Sequence, residues 1–377
     1  MDFDFSDDQN AVRDLARGIL EKEVTVERLK RLEHERADHD AALVATLAEA
    51  GLLGLVVPAS EGGMGLGLGE ACFFLAELGR VVAPGPFLPT LVGALAIARD
   101  GNPAQRRDWL PALAAGDATL ALALTDARGS DPLVPGTHAE RSGNRWVLAG
   151  TKRGVAHAAT ARRMLVPARV GDATRVFLVD PAAAHVTLAT QRTSTGEPIG
   201  AVTLAGVHVD DADVLPGENG DSASVLRRLY ESALVAHAAM QLGVSERMLE
   251  TTARYVRERV QFGVPIGSFQ AVQHRLADCY IDLESMRWTT WRAVERVATG
   301  APAARECAVA KFWAADGGAR IAAACQHLHG GIGVDLDYPI HRYFLHSKAL
   351  ELALGGAAPS LVRLGRDLAE HGIAELP

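Results

Sequence analysis

Cysteine is scarce in this 377-residue sequence, and its four residues (Cys72, Cys279, Cys307, Cys325) stand singly among apolar neighbours. Without a CxxC pair, neither a disulfide framework nor a zinc cluster is expected; free buried thiols in a reducing cytoplasm are. No stretch reaches eighteen apolar residues without a charge or a helix breaker, so no membrane span is expected. The richest candidate, residues 112–124, is short and interrupted by Gly116 and Asp117. The N-terminus lacks a positive segment followed by an apolar one, which argues against a secretory signal. An excess of basic charge is missing too. The formal net charge is −8, which argues against nucleic acid as a partner.

What is present is a chain long enough for two or three domains, nearly half hydrophobic, able to bury a sizeable core. Its periodicity changes twice. The first third reads as helices: Ser6 with Asp7, Asp8 and Gln9 forms a cap signal, and residues 40–50 are helical with Gly51 as a stop. Another helix follows glycine-rich residues 62–69, and Asn102-Pro103 opens one expected to stop before Pro111. From about residue 119 to 215, short β-prone runs alternate with turns such as Ser142-Gly143-Asn144 and Gly171-Asp172, implying an antiparallel barrel or sandwich. Beyond the linker 215–220, Leu229, Ala233, Ala236, Met240, Val244, Met248 and Tyr255 make one helical apolar stripe. Long helices are expected over 269–298 and 302–327, with a last one from about 341, which together imply a bundle. The expected domains are therefore helical (1–118), β (119–218) and a helical bundle (219–377). The fold class is α+β.

Four blocks carry a resemblance. The first is Tyr255-Val-Arg-Glu-Arg259-Val-Gln261-Phe262-Gly263, continuing without a gap to Asp278. The second is Gln326-His327-Leu328-His329-Gly330-Gly331-Ile332-Gly333. The third is Thr125-Asp126-Ala127-Arg128-Gly129-Ser130-Asp131, and the fourth runs from Val57-Pro58 to Gly62-Gly63. In this order they resemble the acyl-CoA dehydrogenase family across essentially the whole chain. The resemblance implies a helical domain, a central β-barrel or sandwich and a C-terminal four-helix bundle, with FAD as cofactor and a dimeric or tetrameric assembly. It implies that Arg259 contacts the FAD diphosphate of a neighbouring subunit, where a forked cation suits phosphate. Phe262 would pack on that cofactor beside Gln261, with Gln326 and His327 near it. The Gly330-Gly331 backbone would admit the adenosine half closely, and Thr125 and Ser130 would face flavin and acyl-CoA.

Plainer readings exist for the same residues. Arg259 beside Glu258 would read as a surface ion pair. Gly330-Gly331-Ile332-Gly333 does not follow a strand, which disfavours a dinucleotide loop. His327 and His329 lie two apart and point different ways, so no metal site is expected. Ser130 lacks a nucleophile-elbow motif.

The pattern breaks at the chemistry. An acyl-CoA dehydrogenase removes the α-proton with a carboxylate while hydride leaves the β-carbon, and that base must be ionised and within hydrogen-bond reach. Counting from Gly330 without a gap puts the family's usual glutamate at Leu354. A minority place it on the first C-terminal helix, which corresponds to Ala233, followed by Leu234 where arginine is common. Neither residue can take a proton. Glu231 lies two residues before Ala233, about 200° around a helix. Glu351, one turn before Leu354, is the better substitute if that segment is helical, although an ordinary surface role is expected for both. The family's flavin-shielding Trp-x-Thr is replaced by Gly154-Val155-Ala156, after Gly150-Thr151-Lys152.

These losses fit one arrangement: the base-less subunit of the actinobacterial heteromeric acyl-CoA dehydrogenases that act on steroid side chains. Its implied partners are an acyl-CoA, a homologous subunit carrying the base, and an electron-transfer flavoprotein or similar acceptor. The alternatives are a homomeric dehydrogenase using Glu351, another flavin chemistry on this fold, and a structural subunit that completes a partner's FAD site.

Overall fold

The computed structural model describes residues 5–126 and 131–373. In chain order come helices α1 (Asp7–Glu23), α2 (Val26–Glu35), α3 (Ala41–Glu49), α4 (Leu68–Val81), α5 (Phe87–Asp100) and α6 (Pro103–Ala114). Next are strands β1 (Leu120–Leu122), β2 (Thr125–Asp126), β3 (His138–Ser142), β4 (Arg145–Ala156), β5 (Arg163–Val170), β6 (Ala173–Val179), β7 (Val186–Arg192) and β8 (Pro198–Asp210). The chain returns to helix in α7 (Val225–Glu258) and makes a small hairpin of β9 (Val260–Gln261) and β10 (Val264–Pro265). It closes with α8 (Gln270–Ala298), α9 (Ala304–Phe312), α10 (Gly318–His329), α11 (Ile340–Leu352) and α12 (Ala357–His371). This order of helices, curled sheet and helices is the expected architecture. No helix among the described residues is long and apolar enough to cross a membrane.

Local chemistry sets several helix starts. Ser6 and Gln9 form a reciprocal capping box at α1, with Asp7 and Asp8 in the first turn complementing its dipole. Asp40 accepts from Leu43 N (3.1 Å) to cap α3 and is held by Arg28 Nη2 at 2.8 Å. Asn102 and Gln105 repeat the capping box at α6, with Pro103 in the first turn.

Three expectations are corrected. α6 does not stop before Pro111 but continues to Ala114. The proline removes one ladder bond, and the carbonyl it frees belongs to exposed Arg107, where water can serve it. The helix expected over 302–327 begins at Ala304, ends at His329, and carries a π turn at Trp313–Gly317. The last helix is two, because Leu354 (φ 56°) and Gly355 (φ 89°) turn the chain left-handed between α11 and α12.

The chain packs as two compact units. One gathers the residues up to Val26, 72–83 and everything from Leu234 onward; the other holds 27–71 and 84–233. In the first, α4 and α7 approach through glycine. A Cβ on Gly79 would lie 2.2 Å from the Met240 oxygen, and one on Gly243 only 1.8 Å from the Ala76 oxygen. Arg80 fastens this contact by donating to Glu246 (3.1 Å) and Glu250 (3.0 and 2.8 Å). The bundle core includes Leu242, Met248, Leu283, Met286, Val294 and Ile321.

In the second unit the strand order is β1-β5-β3-β4-β8-β7, with β2 paired to β4 and β6 to β5. Most pairings are antiparallel, but β1 and β3 each meet β5 in parallel. Alternating residues close the sheet over a core of Leu148, Val155, Val166, Phe177, Leu204 and Val207. The β4–β8 ladder slips twice, once opposite Gly206 (φ 86°) and once between Lys152 and Val155, where Gly154 is left-handed (φ 64°). Glycine permits such bulges without a Cβ clash.

Candidate functional site

The hairpin at the end of α7 carries the first candidate residues. Gln261 pairs with Val264 and Val260 with Pro265, leaving Phe262 (φ 55°) and Gly263 (φ 83°) as the two turn residues. Two successive positive φ values are what a tight primed turn needs; glycine supplies one readily, and Phe262 holds the other at a steric cost. The tip projects Phe262, which is 92% exposed, with Phe269 edge-on at 6.1 Å. Arg259 is fixed through its backbone: its N–H donates to Tyr255 O and its carbonyl accepts from Ile266 N, each at 2.8 Å. Its guanidinium is exposed and makes no ion pair among the described residues, so the plain reading of an Arg259–Glu258 pair does not hold. Gln261 is exposed as well and donates only to Val260 O (3.0 Å).

One turn before Arg259, Tyr255 links this hairpin to the glycine-rich end of α10. Its ring stacks on His329 (centroids 4.5 Å apart), and the Tyr338 ring lies near both, 5.2 Å from the imidazole and 6.4 Å from Tyr255. His329 is buried, and its Nδ1 lies 2.8 Å from Cys325 O, so Nδ1 carries the hydrogen and donates. Burial pushes this imidazole below its usual pKa against the pull of that hydrogen bond, which keeps it neutral. His327 is exposed. Gly330 (φ 61°, ψ −139°) leaves α10 in a conformation reserved for glycine, and a Cβ on Gly330 or Gly331 would meet nothing within 4 Å. The backbone there is open to an incoming group. Gln326 donates to Gly333 O, while its Oε1 is buried without a partner. Sequence reasoning quoted Tyr255 and His329 but missed their contact, which spans 74 positions and has no periodic signal.

The barrel-side candidates belong to the other unit. Thr125 is half-buried on β2 opposite Arg153, and Asp126 stands opposite Lys152. Ser130 lies outside the described residues. Asp126 Oδ1 accepts from Thr137 N (3.0 Å) and Thr137 Oγ1 (2.6 Å), and its Oδ2 accepts from Lys152 Nζ at 2.9 Å. Lys152 is fully buried, and desolvation lowers its pKa in spite of Asp126. The next residues on β4, Gly154 and Ala156, offer neither an aromatic wall nor a hydroxyl. A Cβ on Gly154 would meet nothing within 4 Å.

Neither of the two positions expected to hold the base carries a group that can take a proton. Ala233 is fully buried in α7, and Leu354 sits in the left-handed turn after α11. Glu231 is not the surface residue expected: it is buried, with Arg227 at 3.7 Å. Glu351 is at the end of α11 and pairs with Lys348. The premise that Glu351 and Leu354 share a helical face fails, because Ala353 is extended and Leu354 left-handed.

Residues 6–117 match the acyl-CoA dehydrogenase N-terminal domain and residues 225–364 the acyl-CoA dehydrogenase C-terminal domain. The chain is 40% identical to acyl-CoA dehydrogenase FadE27 of Mycobacterium tuberculosis over 98% of its own length and 99% of that protein's. Among solved structures it is similar to a variant of the steroid acyl-CoA dehydrogenase Tcur3481-Tcur3483 (TM-score 0.90, 43% identity, 96% of this chain and 98% of that one). It is also similar to the ChsE4-ChsE5 complex of Mycobacterium tuberculosis (TM-score 0.92, 38% identity, 98% and 99% covered). Fold and sequence thus define the helix–sheet–helix class of flavoprotein oxidoreductases. Within that class the chain belongs to the acyl-CoA dehydrogenase family, and its similarity runs to the heteromeric, steroid-type members.

Proposed function

We propose that this chain is the base-less subunit of a cytoplasmic heteromeric acyl-CoA dehydrogenase that desaturates the α,β bond of a steroid-type acyl-CoA. The carrying observation is a loss beside a retention. Leucine and alanine occupy both positions expected to hold the base, while the Arg259–Phe262 hairpin stands exposed with its cation in no ion pair among the described residues.

The residues fit FAD unevenly. The unpaired guanidinium of Arg259 and the open backbone at Gly330 and Gly331 suit a diphosphate and its adenosine half. Gly154 and Ala156 do not suit an isoalloxazine, since nothing there shields the ring. This supports a chain that completes its partner's flavin site and leaves its own unfinished. Bound FAD supplies the acceptor for the hydride leaving the β-carbon. In this reading Arg259 orients the diphosphate, Phe262 covers the cofactor and excludes water, and the partner brings the carboxylate. An electron-transfer flavoprotein or a similar acceptor reoxidises the complex.

Co-expression with a homologue whose glutamate is intact tests the proposal. One FAD per two chains is expected, with dehydrogenation abolished by removing the homologue's glutamate. Stoichiometric FAD and acyl-CoA dehydrogenation by this chain alone would sink it. A structural subunit that only completes the partner's FAD site is the second reading, favoured by the bare Gly154–Ala156 segment; removing this chain's hairpin would then lower the partner's FAD content and leave acyl-CoA binding unchanged. A homomeric enzyme using Glu351 is disfavoured by the Lys348 pair, and full activity of Glu351→Gln removes it.

A further inference from the structure

The end of α11 satisfies its last carbonyls in an uncommon way. An α-helix leaves four carbonyls without helical partners, and they must find others. Here Ala353 N takes Ala349 O (3.0 Å) and Gly355 N takes Leu352 O (3.2 Å). The two in between are reached from a different helix. Lys311 Nζ on α9 donates to Leu350 O at 2.7 Å and to Glu351 O at 3.2 Å. Lys311 is 1% exposed, among the most buried cations of the fold.

A glycine cap would usually bond these carbonyls with backbone amides and fold the chain back over the helix. With a side chain doing so, the amide of Leu354 is released. The chain can then run extended at Ala353 and left-handed at Leu354, a conformation that costs a leucine free energy.

We propose that Lys311 is the positioning residue of the α11–α12 turn. By holding the Leu350 and Glu351 carbonyls from beneath, it imposes the backbone of residues 353–356, including position 354, where the family's usual base would stand. The turn is therefore set by a residue on another helix and not by the side chain it presents. This rests on the bundle's geometry alone and holds whether or not the chain is a base-less subunit. The charged groups facing the amine are Glu351 on α11 and Arg363 on α12. Burial brings the amine down to about 7, in keeping with a group enclosed so completely.

Hydrogen–deuterium exchange on the full-length chain tests the assignment. Lys311→Met should speed exchange across residues 349–358 about tenfold, the loss of one to two hydrogen bonds, and leave α8 within about twofold. Lys311→Arg should recover much of the protection. Lys348→Met removes the side-chain pair at the same helix end but no carbonyl bond, so it should leave 349–358 as in the wild type. Leu354→Gly, which the left-handed backbone accepts, should also leave exchange there unchanged. The proposal is overturned if Lys311→Met leaves 349–358 protected, if exchange rises evenly along the bundle, or if Lys348→Met does the same. Should Lys311→Met fail to fold, Leu354→Gly still decides: faster exchange in its turn would show that residue 354 sets the geometry.

Discussion

Breaking the Asp126–Lys152 pair gives a sharp test of how the β unit is held. In Lys152→Met the Asp126 carboxylate keeps its bonds from Thr137 N and Oγ1 but loses its only close cation among the contacts described. It must stay charged and uncompensated or take up a proton. Protonating a carboxylate at pH 7 costs about 4 kcal/mol relative to water, which caps the penalty. Loss of one partner from a buried pair costs about 3–5 kcal/mol, so the two bounds agree. Asp126→Asn strands the ammonium instead. Lys152 is already lowered by desolvation, and discharging a lysine at pH 7 costs about 5 kcal/mol at most.

The two variants should respond to pH with opposite signs. In Lys152→Met the folded state binds at least as many protons as the unfolded one, so acidification towards pH 5 relieves the defect. In Asp126→Asn the unfolded state binds more, so stability recovers as pH rises from 7 towards the unfolded lysine value of 10.5. The double variant should be better than the sum of the singles by about 2 kcal/mol. Urea midpoints followed by near-UV circular dichroism at pH 5, 7 and 9 measure all of this. Penalties under about 1 kcal/mol, or slopes of the same sign, would refute the reasoning.

Three further outcomes are expected. Gly243→Ala should lose about 3 kcal/mol, since its Cβ would fall 1.8 Å from Ala76 O, whereas Gly365→Ala in α12 meets nothing and should gain up to about 1 kcal/mol; thermal unfolding separates them. The Lys311 amine is held at about 7 against 10.5 unfolded. The unfolded state thus binds more protons between those values, so stability rises with pH across that window and the full penalty stands below it. Lys311→Met should flatten this slope in urea titrations from pH 6 to 10. Arg259→Ala should leave the urea midpoint of the isolated chain unchanged, because its guanidinium makes no bond or ion pair among the described residues, and should lower the FAD content of the assembled complex; equal FAD in both complexes would count against its proposed role.

Much of the architecture was legible because it rests on repeated local signals. The stripe from Leu229 to Tyr255 appears as α7, and Gly171-Asp172 as the turn joining β5 to β6, because periodicity and turn chemistry act within a few residues. What escaped rests on single contacts between distant residues. The parallel meeting of β1 with β5 joins a three-residue strand to one more than forty positions on, and a strand so short carries no pattern. The stacking of Tyr255 on His329 and the clamp of Lys311 are of the same kind. Pro111 escaped for another reason: a breaker stops a helix only where the freed carbonyl has no other partner, and Arg107 lies in water.

The base positions show how these two kinds of information divide the work. Residue identity at 354 is readable from sequence, and leucine excludes proton transfer there. Backbone geometry at 354 is not, since Gly355-Gly356 signals a turn without showing that Leu354 itself is left-handed, and Lys311 lies 43 positions upstream. A leucine held at φ 56° bears a cost that its own side chain does not explain. The bundle needs Lys311 in place to satisfy Leu350 and Glu351, so the turn does not depend on which side chain stands at 354. On the proposed reading, a subunit can shed its base by one substitution and keep its framework, because the framework is bonded from elsewhere. The reverse change is the corresponding test of readiness: Leu354→Glu should enter a preformed turn without altering its exchange, leaving any missing activity to be traced to Gly154 and Ala156.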